Sequence, residues 1–328
     1  MKLAVVIPSI REDCFRKWAA EWEEDFRETR VILVEDNPEK TFRAPSWVEH
    51  YAWQDTVREM GGDSWIIPRR ADAVCSFGFL KALQGDADVI WNLNDDCYPE
   101  EAHKGAYLQR AAAAFTSVPD DSWHNTITGL YPRGYPYGIR GRMRPVVFHH
   151  GLWSNIPDLD GETQLANPDF RLPPCQSAEV VPPGKFFPMC NMNMMFRRDI
   201  APVMYQLLMG SDQNGTPWGF DRFADIWSGL LMKKTADHLG LAVTSGTPGI
   251  RHSRASDPHR NVQLEAAGRS AHEKFWELIR DTKLTESTPA GCYPELADAL
   301  DCYREPTPRA YYWHSLAAAM RVWVKWAR

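Results

Sequence analysis

Val89-Ile90-Trp91-Asn92-Leu93 is followed without a break by Asn94-Asp95-Asp96. The first five residues read as a buried strand, and the next three put an amide and two carboxylates where that strand leaves its sheet. In open α/β sheets ligands bind beyond the carboxyl ends of strands. Hard divalent cations take oxygen ligands, often one or two carboxylates together with substrate phosphates. The octapeptide therefore predicts an α/β fold in which a strand end holds a metal-bound diphosphate.

Working outward, Leu3 to Ile7 and Val31 to Val34 are short apolar runs that read as further strands, ending in Pro8-Ser9-Ile10-Arg11 and Glu35-Asp36. Between them Phe15, Trp18, Ala19, Trp22 and Phe26 recur at helical spacing, the mark of an amphipathic helix with an aromatic core stripe. This alternation predicts βαβ units around a mostly parallel central sheet flanked by helices. Three polar strand ends then converge on one crevice, as a nucleotide site requires. No GxGxxG follows the first strand, which removes the basis for a dinucleotide or flavin on a glycine-rich turn.

The 328 residues, 44% apolar and 24% charged, suit one large or two intimate globular domains. A net charge of −6 gives no electrostatic footprint for nucleic acid or an anionic membrane. The 7 cysteines form no CxxC pair and are odd in number, so they read as reduced thiols of a cytoplasmic protein. The apolar stretch after Met1 is too short for a signal peptide, and no run approaches the ~20 apolar residues of a membrane span.

From Tyr131 to Pro188 the chain is rich in Pro, Gly, Tyr, Arg and Trp without a clear period, and reads as a long irregular functional stretch. Helical spacing returns at Phe223, Ile226, Trp227, Leu230 and Leu231, with Gly240 as its stop and Leu241 to Thr244 as a following strand. The last segment, Tyr311 to Arg328, is a basic amphipathic helix of a kind that can lie on a membrane, but at this net charge packing against the body or another subunit is the expected arrangement.

Several separated blocks resemble the reversibly glycosylated polypeptide family, whose plant members include UDP-arabinopyranose mutases. They are Val5-Val6-Ile7-Pro8-Ser9-Ile10-Arg11, Asn94-Asp95-Asp96-Cys97, Arg133-Gly134-Tyr135-Pro136 with Arg140, and His150-Gly151-Leu152-Trp153-Ser154-Asn155-Ile156-Pro157-Asp158. Thr163-Gln164-Leu165, Phe187-Pro188-Met189-Cys190, Met192-Asn193, Asp237-His238-Leu239-Gly240 and His252-Ser253-Arg254-Ala255-Ser256 continue the likeness. Two departures stand out. Asn94 occupies the first position of a triplet that is usually three aspartates, and the Asp-Asp-Met-Trp block is Ala224-Asp225-Ile226-Trp227.

The resemblance implies a single GT-A-like domain over 1–328, with a nucleotide-binding half to about 130, a sugar and catalytic half to about 260 and a helical segment beyond. It implies a flavin-free enzyme that interconverts pyranose and furanose forms of a nucleotide sugar, works with Mn²⁺ or Mg²⁺ and can assemble as a homo-oligomer. Asp96, His252 and Asn94 would hold the cation; Ser9, Arg11, Asp36, Asp95, Arg133, Trp153, Asp158 and Asn193 would contact the nucleotide sugar. Arg140 is the position that would carry a sugar. Because a guanidinium is protonated at physiological pH, a carboxylate such as Asp225, Asp158 or Asp160 must assist it; a phosphate clamp is the alternative role. A glycosyltransferase acting on an external acceptor and a self-glycosylating partner subunit are the rival functions.

Overall fold

The structure, a computed structural model, describes residues 1–328 apart from 213, 254 and 255, so Arg254 and Ala255 of the block quoted above lie outside the described residues. Among the described residues the strands are β1 (Leu3–Ser9), β2 (Arg30–Glu35), β3 (Val48–Ala52), β4 (Val89–Leu93), β5 (Cys97–Tyr98), β6 (Val118–Pro119), β7 (Met143–Arg144), β8 (Val146–Asn155), β9 (Ala178–Val180), β10 (Asn193–Arg197) and β11 (Ala242–His252). The helices are α1 (Glu12–Phe26), α2 (Trp53–Met60), α3 (Val74–Gln84), α4 (Tyr107–Ala114), α5 (Gly161–Ala166), α6 (Ala224–His238), α7 (Pro258–Asp281), α8 (Pro289–Asp301) and α9 (Tyr312–Trp326).

The large sheet runs β3-β2-β1-β4-β10-β8-β11-β5, with β9 also paired to β11. Its first four strands are parallel, as the βαβ alternation predicts. The sheet as a whole is mixed rather than mostly parallel: β10 is antiparallel to both β4 and β8, and β5 and β9 are antiparallel to β11. The reason lies in the entry to β10. The chain arrives through Phe187–Met192 at the edge where β4 and β8 end, so β10 begins there and must run against both. Because β8 is parallel to β11, the carboxyl ends of β1, β2, β4, β8 and β11 share that edge.

The stretch expected to be irregular contains the ten-residue strand β8. Its first six residues are all buried, so no inside-outside alternation marks it in sequence. One face of the sheet is covered by α1, whose Phe15, Trp18, Trp22 and Phe26 are buried against Trp91 and Tyr107. Trp22 Nε1 donates to the Cys97 carbonyl at 2.9 Å, which ties the helix to the segment after the acidic pair. The other face is covered by α3, α6, α8 and α9. A Cβ at Gly78 would lie 2.3 Å from Val6 Cγ1, and that bare position lets α3 lie close on β1. Helix α9 is a body helix: Trp323 donates to the Ala201 carbonyl at 3.2 Å and Tyr312 to the Leu208 carbonyl at 2.7 Å. Among the described residues no helix is long and apolar enough to cross a membrane.

Asn193 holds the reversed strand in register. Its Oδ1 accepts from Trp91 Nε1 on β4 at 2.8 Å, and its Nδ2 donates to the carbonyls of Leu152 at 3.2 Å and Pro248 at 3.1 Å. Asn193→Ala leaves these buried groups without partners and is expected to cost roughly 3 kcal/mol, read as a lower urea midpoint, with UDP affinity of the folded protein unchanged. Lost affinity at unchanged stability would return Asn193 to sugar contact.

Candidate active site

Beyond the shared strand ends lies a cleft of about 1360 Å³. Ser9, Arg11, Asp36, Asn94, Asp95, Asp96, Trp153, Asp158, Asp225 and His252 of the expected residues line it. Arg133, Arg140 and Asn193 do not.

The strand-end wall is a tight polar knot. Ser9 Oγ donates to Asp95 Oδ2 at 2.5 Å, and Arg11 reaches the same carboxylate through Nε at 3.1 Å. Arg11 Nη2 is shared between Asp95 and Asp96, with 3.0 Å to Asp96 Oδ2. Burial works against the Arg11 charge, but the bonds to Asp95 and the field of Asp96 outweigh it and raise its pKa. Burial raises the pKa of Asp95, with Arg11 and Ser9 pulling the other way. Asp36 is pushed up to about 6 by burial, although the Arg70 N–H donates to it at 2.6 Å.

A cation fits beside this knot. His252 Nδ1 donates to the Ile156 carbonyl at 2.8 Å, which turns Nε2 toward Asp96 Oδ1 at 3.9 Å. Two metal-ligand bonds of ~2.1 Å span that gap. Asn94 Oδ1 is buried and finds no hydrogen-bond partner among the described residues, so an acceptor is left for a cation. Among the described residues no three His, Cys, Asp or Glu side chains form a metal-holding group, and the expected ligands amount to one carboxylate, one imidazole and one amide.

The opposite wall is acidic and was only partly legible. Asp225, in the first turn of α6, accepts from the N–H groups of Asn191 at 3.1 Å and Ile226 at 2.9 Å. Burial raises its pKa well above the ordinary range, and the nearby Asp72 and Asp158 add to the rise. Asp72 is pushed up to about 6 by burial and by Asp221. Asp72 and Asp221 had no motif to announce them; the one signal was a charged tetrad, Arg69-Arg70-Ala71-Asp72, opening the apolar α3 segment. Arg70 and Arg222 both hold left-handed backbone, with φ 57° and 61°, on the rim of this wall, where strained residues tend to gather. The methyl of Ala224 packs in the core, so its departure from the family block leaves Asp225 in the cleft.

Between the walls stand Trp153 and His150, ring centroids 5.5 Å apart and edge-on. Cys190 N–H donates to His150 Nε2 at 3.1 Å, so Nδ1 carries the proton and donates to Ser245 Oγ at 3.2 Å. Burial drives the His150 pKa down to about 3, keeping it neutral. Trp153 Nε1 is buried and finds no acceptor among the described residues.

Arg140 sits elsewhere. Among the described residues nothing from 97 to 149 lines the cleft. Arg140 precedes β7, at the sheet end where Ala242 N–H donates to the Pro145 carbonyl at 2.9 Å and β8 and β11 begin. Its guanidinium lies over the rings of Tyr137, at 3.9 Å, and Tyr131, at 5.2 Å, and donates to the Tyr135 carbonyl at 3.3 Å. Arg133 is exposed on the same loop.

With the geometry in hand, comparison with known proteins is informative over the full length. The family model described as reversibly glycosylated polypeptide matches residues 1–328. UDP-arabinopyranose mutase 1 of Arabidopsis thaliana is 33% identical, covering 99% of this chain and 91% of that protein. UDP-arabinopyranose mutase 1 of Oryza sativa subsp. japonica is 33% identical over 99% of this chain and 90% of that protein, and UDP-arabinopyranose mutase 2 of Arabidopsis thaliana is 32% identical over 99% and 91%. Similarity of this extent, from β1 to α9, shows that the chain belongs to the reversibly glycosylated polypeptide family.

Proposed function

We propose that this protein is a flavin-independent nucleotide-sugar mutase of the cytoplasm that interconverts UDP-arabinopyranose and UDP-arabinofuranose on a GT-A-like fold. The observation that carries the reading is the pairing, across one cleft, of the strand-end group Asn94, Asp96 and His252 with the acidic wall Asp72 and Asp225. The names of the relatives, matched along 99% of this chain, supply the substrate class. The four parallel strands β3-β2-β1-β4 with an acidic pair beyond β4 support the fold assignment, and the thiols of Cys75, Cys97 and Cys190, buried in reduced form, suit the cytoplasm.

A pyranose ring cannot open while its anomeric carbon carries a diphosphate, so the diphosphate leaves first. Ser9 and Asp36 face the uridine end, Arg11 and Asp95 the ribose and diphosphate, and Trp153 and Asp158 the sugar. Asp96, His252 Nε2 and the Asn94 carbonyl hold Mn²⁺ or Mg²⁺, which when bound neutralises charge on the departing group. The C1–O bond breaks with its electron pair going to UDP. A nitrogen of Arg140, having passed a proton to the Asp225–Asp72 pair, forms the C1–N bond. The nitrogen lone pair then expels the ring oxygen O5, which takes up a proton. The 4-hydroxyl adds to C1, loses its proton and closes the furanose, and a β-phosphate oxygen returns to C1 and expels the arginine nitrogen, which takes its proton back from the Asp225–Asp72 pair. No electrons are gained or lost overall, and the Arg140 nitrogen supplies the nucleophile at C1, so this route calls on no flavin.

Purified protein given UDP-arabinopyranose and Mn²⁺ is expected to produce the furanose form, followed by chromatography. Asp96→Ala should abolish turnover and the metal dependence of UDP binding in calorimetry, whereas Asn94→Asp should keep or raise metal affinity. UDP affinity that ignores a chelator would overturn the metal assignment.

The acidic wall makes a pH prediction with a defined sign. Asp72 must be ionised to take a proton, so kcat/KM should rise about tenfold per pH unit up to about 6 and then level. Stability runs the other way. The Asp72 pKa is raised from 3.8 to about 6 in the fold, so its contribution is fully present below about pH 4 and is lost as pH rises through about 6. Asp72→Asn should therefore lose activity yet unfold at a higher urea midpoint at pH 7.5, with no gain at pH 4. A variant of unchanged activity would remove Asp72 from the mechanism.

A further inference from the structure

The mutase reading needs Arg140 at the sugar, yet the fold keeps it from its own cleft. β8 runs from Val146, beside the Arg140 loop, to the cleft-lining Trp153. Strand geometry puts Arg144 on the order of 30 Å from Trp153, and the short return from Arg144 to Arg140 recovers at most about 14 Å. Helix α6 says the same. Its first turn carries Asp225 into the cleft lining, and it is Lys233, two turns further along, whose field Arg144 and Asp121 share.

The loop itself is built to meet something. Trp123, Ile127, Leu130, Tyr131, Tyr137 and Met143 are exposed apolar or aromatic side chains within one short segment, Leu130 at 68% and Tyr137 at 81%. Monomers rarely expose so dense a patch without a partner. Arg140 is held at its centre, stacked on two tyrosine rings, with its Nε lacking a partner among the described residues. Arg133 adds an exposed positive charge on the same loop, while Arg142 is paired with Asp120 at 3.4 Å. The cleft is the complement. Among the described residues its lining carries ten carboxylates against five arginines. Its volume of about 1360 Å³ exceeds the ~300–1,000 Å³ typical of a small-molecule pocket, which leaves room for a nucleotide sugar and an entering loop tip.

We propose that Arg140 serves the cleft of a second copy of this chain: the loop from Trp123 to Met143 of one protomer docks over the cleft of its partner and presents Arg140 to the sugar bound there. The inference rests on the mutase reading and on Arg140 as the nitrogen that forms the C1–N bond. Its bond changes are those already given, with the leaving UDP and the arginine on different chains. It also assigns the apolar loop residues to the contact between copies and makes the assembled pair the active unit.

Mixed-chain labelling tests this. Asp96→Ala keeps the arginine but cannot activate donor; Arg140→Ala keeps the donor cleft but has no acceptor. The two are made with a size tag on one so that they separate after denaturation, and circular dichroism and UDP binding of Arg140→Ala establish that each is folded. With radiolabelled UDP-arabinopyranose neither alone should retain label, while the mixture should label the Asp96→Ala chain at a peptide containing Arg140. Tyr137→Glu or Leu130→Glu in the Asp96→Ala chain should cut that labelling at least tenfold and reduce the sedimenting mass of the wild-type background. A silent mixture, when wild type both labels and isomerises, overturns transfer between copies and leaves the mutase standing. Label on Arg140→Ala alone names a different arginine and overturns it too. Wild type that neither labels nor isomerises overturns the mutase reading itself, and label passing only to an unrelated added protein would make that protein the partner in place of the second copy.

Discussion

One side-chain amide joins the two halves of this protein. The parallel strands β1 to β4 and the later strands β8 and β11 end on the same edge only because a single strand runs backward between them. That strand, β10, is locked by Asn193 to the indole of Trp91 on one side and to carbonyls of β8 and β11 on the other. The approach is close enough that a Cβ on Gly151 would fall 2.1 Å from the Asn193 amide nitrogen. If β10 slipped by one residue, every side chain on it would change faces, and the Asp95–Asp96 turn would lose its position relative to Asp225 and His252. A buried polar network with every group satisfied specifies register as well as stability.

The shared edge brings together groups of like charge that folding alone would keep apart. On the strand-end wall Arg11 compensates Asp95 and Asp96, and the three side chains satisfy one another. On the acidic wall Arg222, which pairs with Glu265 at 3.2 Å, pulls the Asp72 pKa down, but burial and Asp221 outweigh it, and burial together with Asp72 and Asp158 raises the proton affinity of Asp225. The two walls thus differ in what they can do. One binds charge that arrives with a ligand, and the other holds or accepts protons near neutral pH. The stability lost by burying ionised carboxylates is the cost of that second ability.

The loop bearing Arg140 presents the opposite balance. It is distant from the acids, rich in exposed rings and tethered to the sheet mainly through the small hairpin of β6 and β7 and the pairing of Arg144 with Asp121. A guanidinium stacked on tyrosines is preorganised for a planar partner. Local sequence chemistry dictates this arrangement, whatever lies across from it.

The α/β class, the first parallel strands, the aromatic helix α1 and the strand-end cluster are all legible in the amino-acid order, because each depends on local periodicity or on polar residues abutting an apolar run. Ser9, Arg11, Asp36, Asn94, Asp95, Asp96 and His252 could be placed on one crevice for the same reason: each ends or borders a strand. The full-length family blocks carried the activity. The remaining features are set by contacts between residues distant in the chain. Strand β8 was hidden in a stretch read as irregular, since a strand buried on both faces shows no alternation. The reversal of β10 follows from where the chain re-enters the sheet, which no local pattern records. Asp72 and Asp221 join Asp225 only through the packing of separate segments. Asn193 resembles a ligand contact in sequence but is consumed by its neighbours, and Arg140 lies at the wrong end of its own sheet because a ten-residue strand separates it from the cleft.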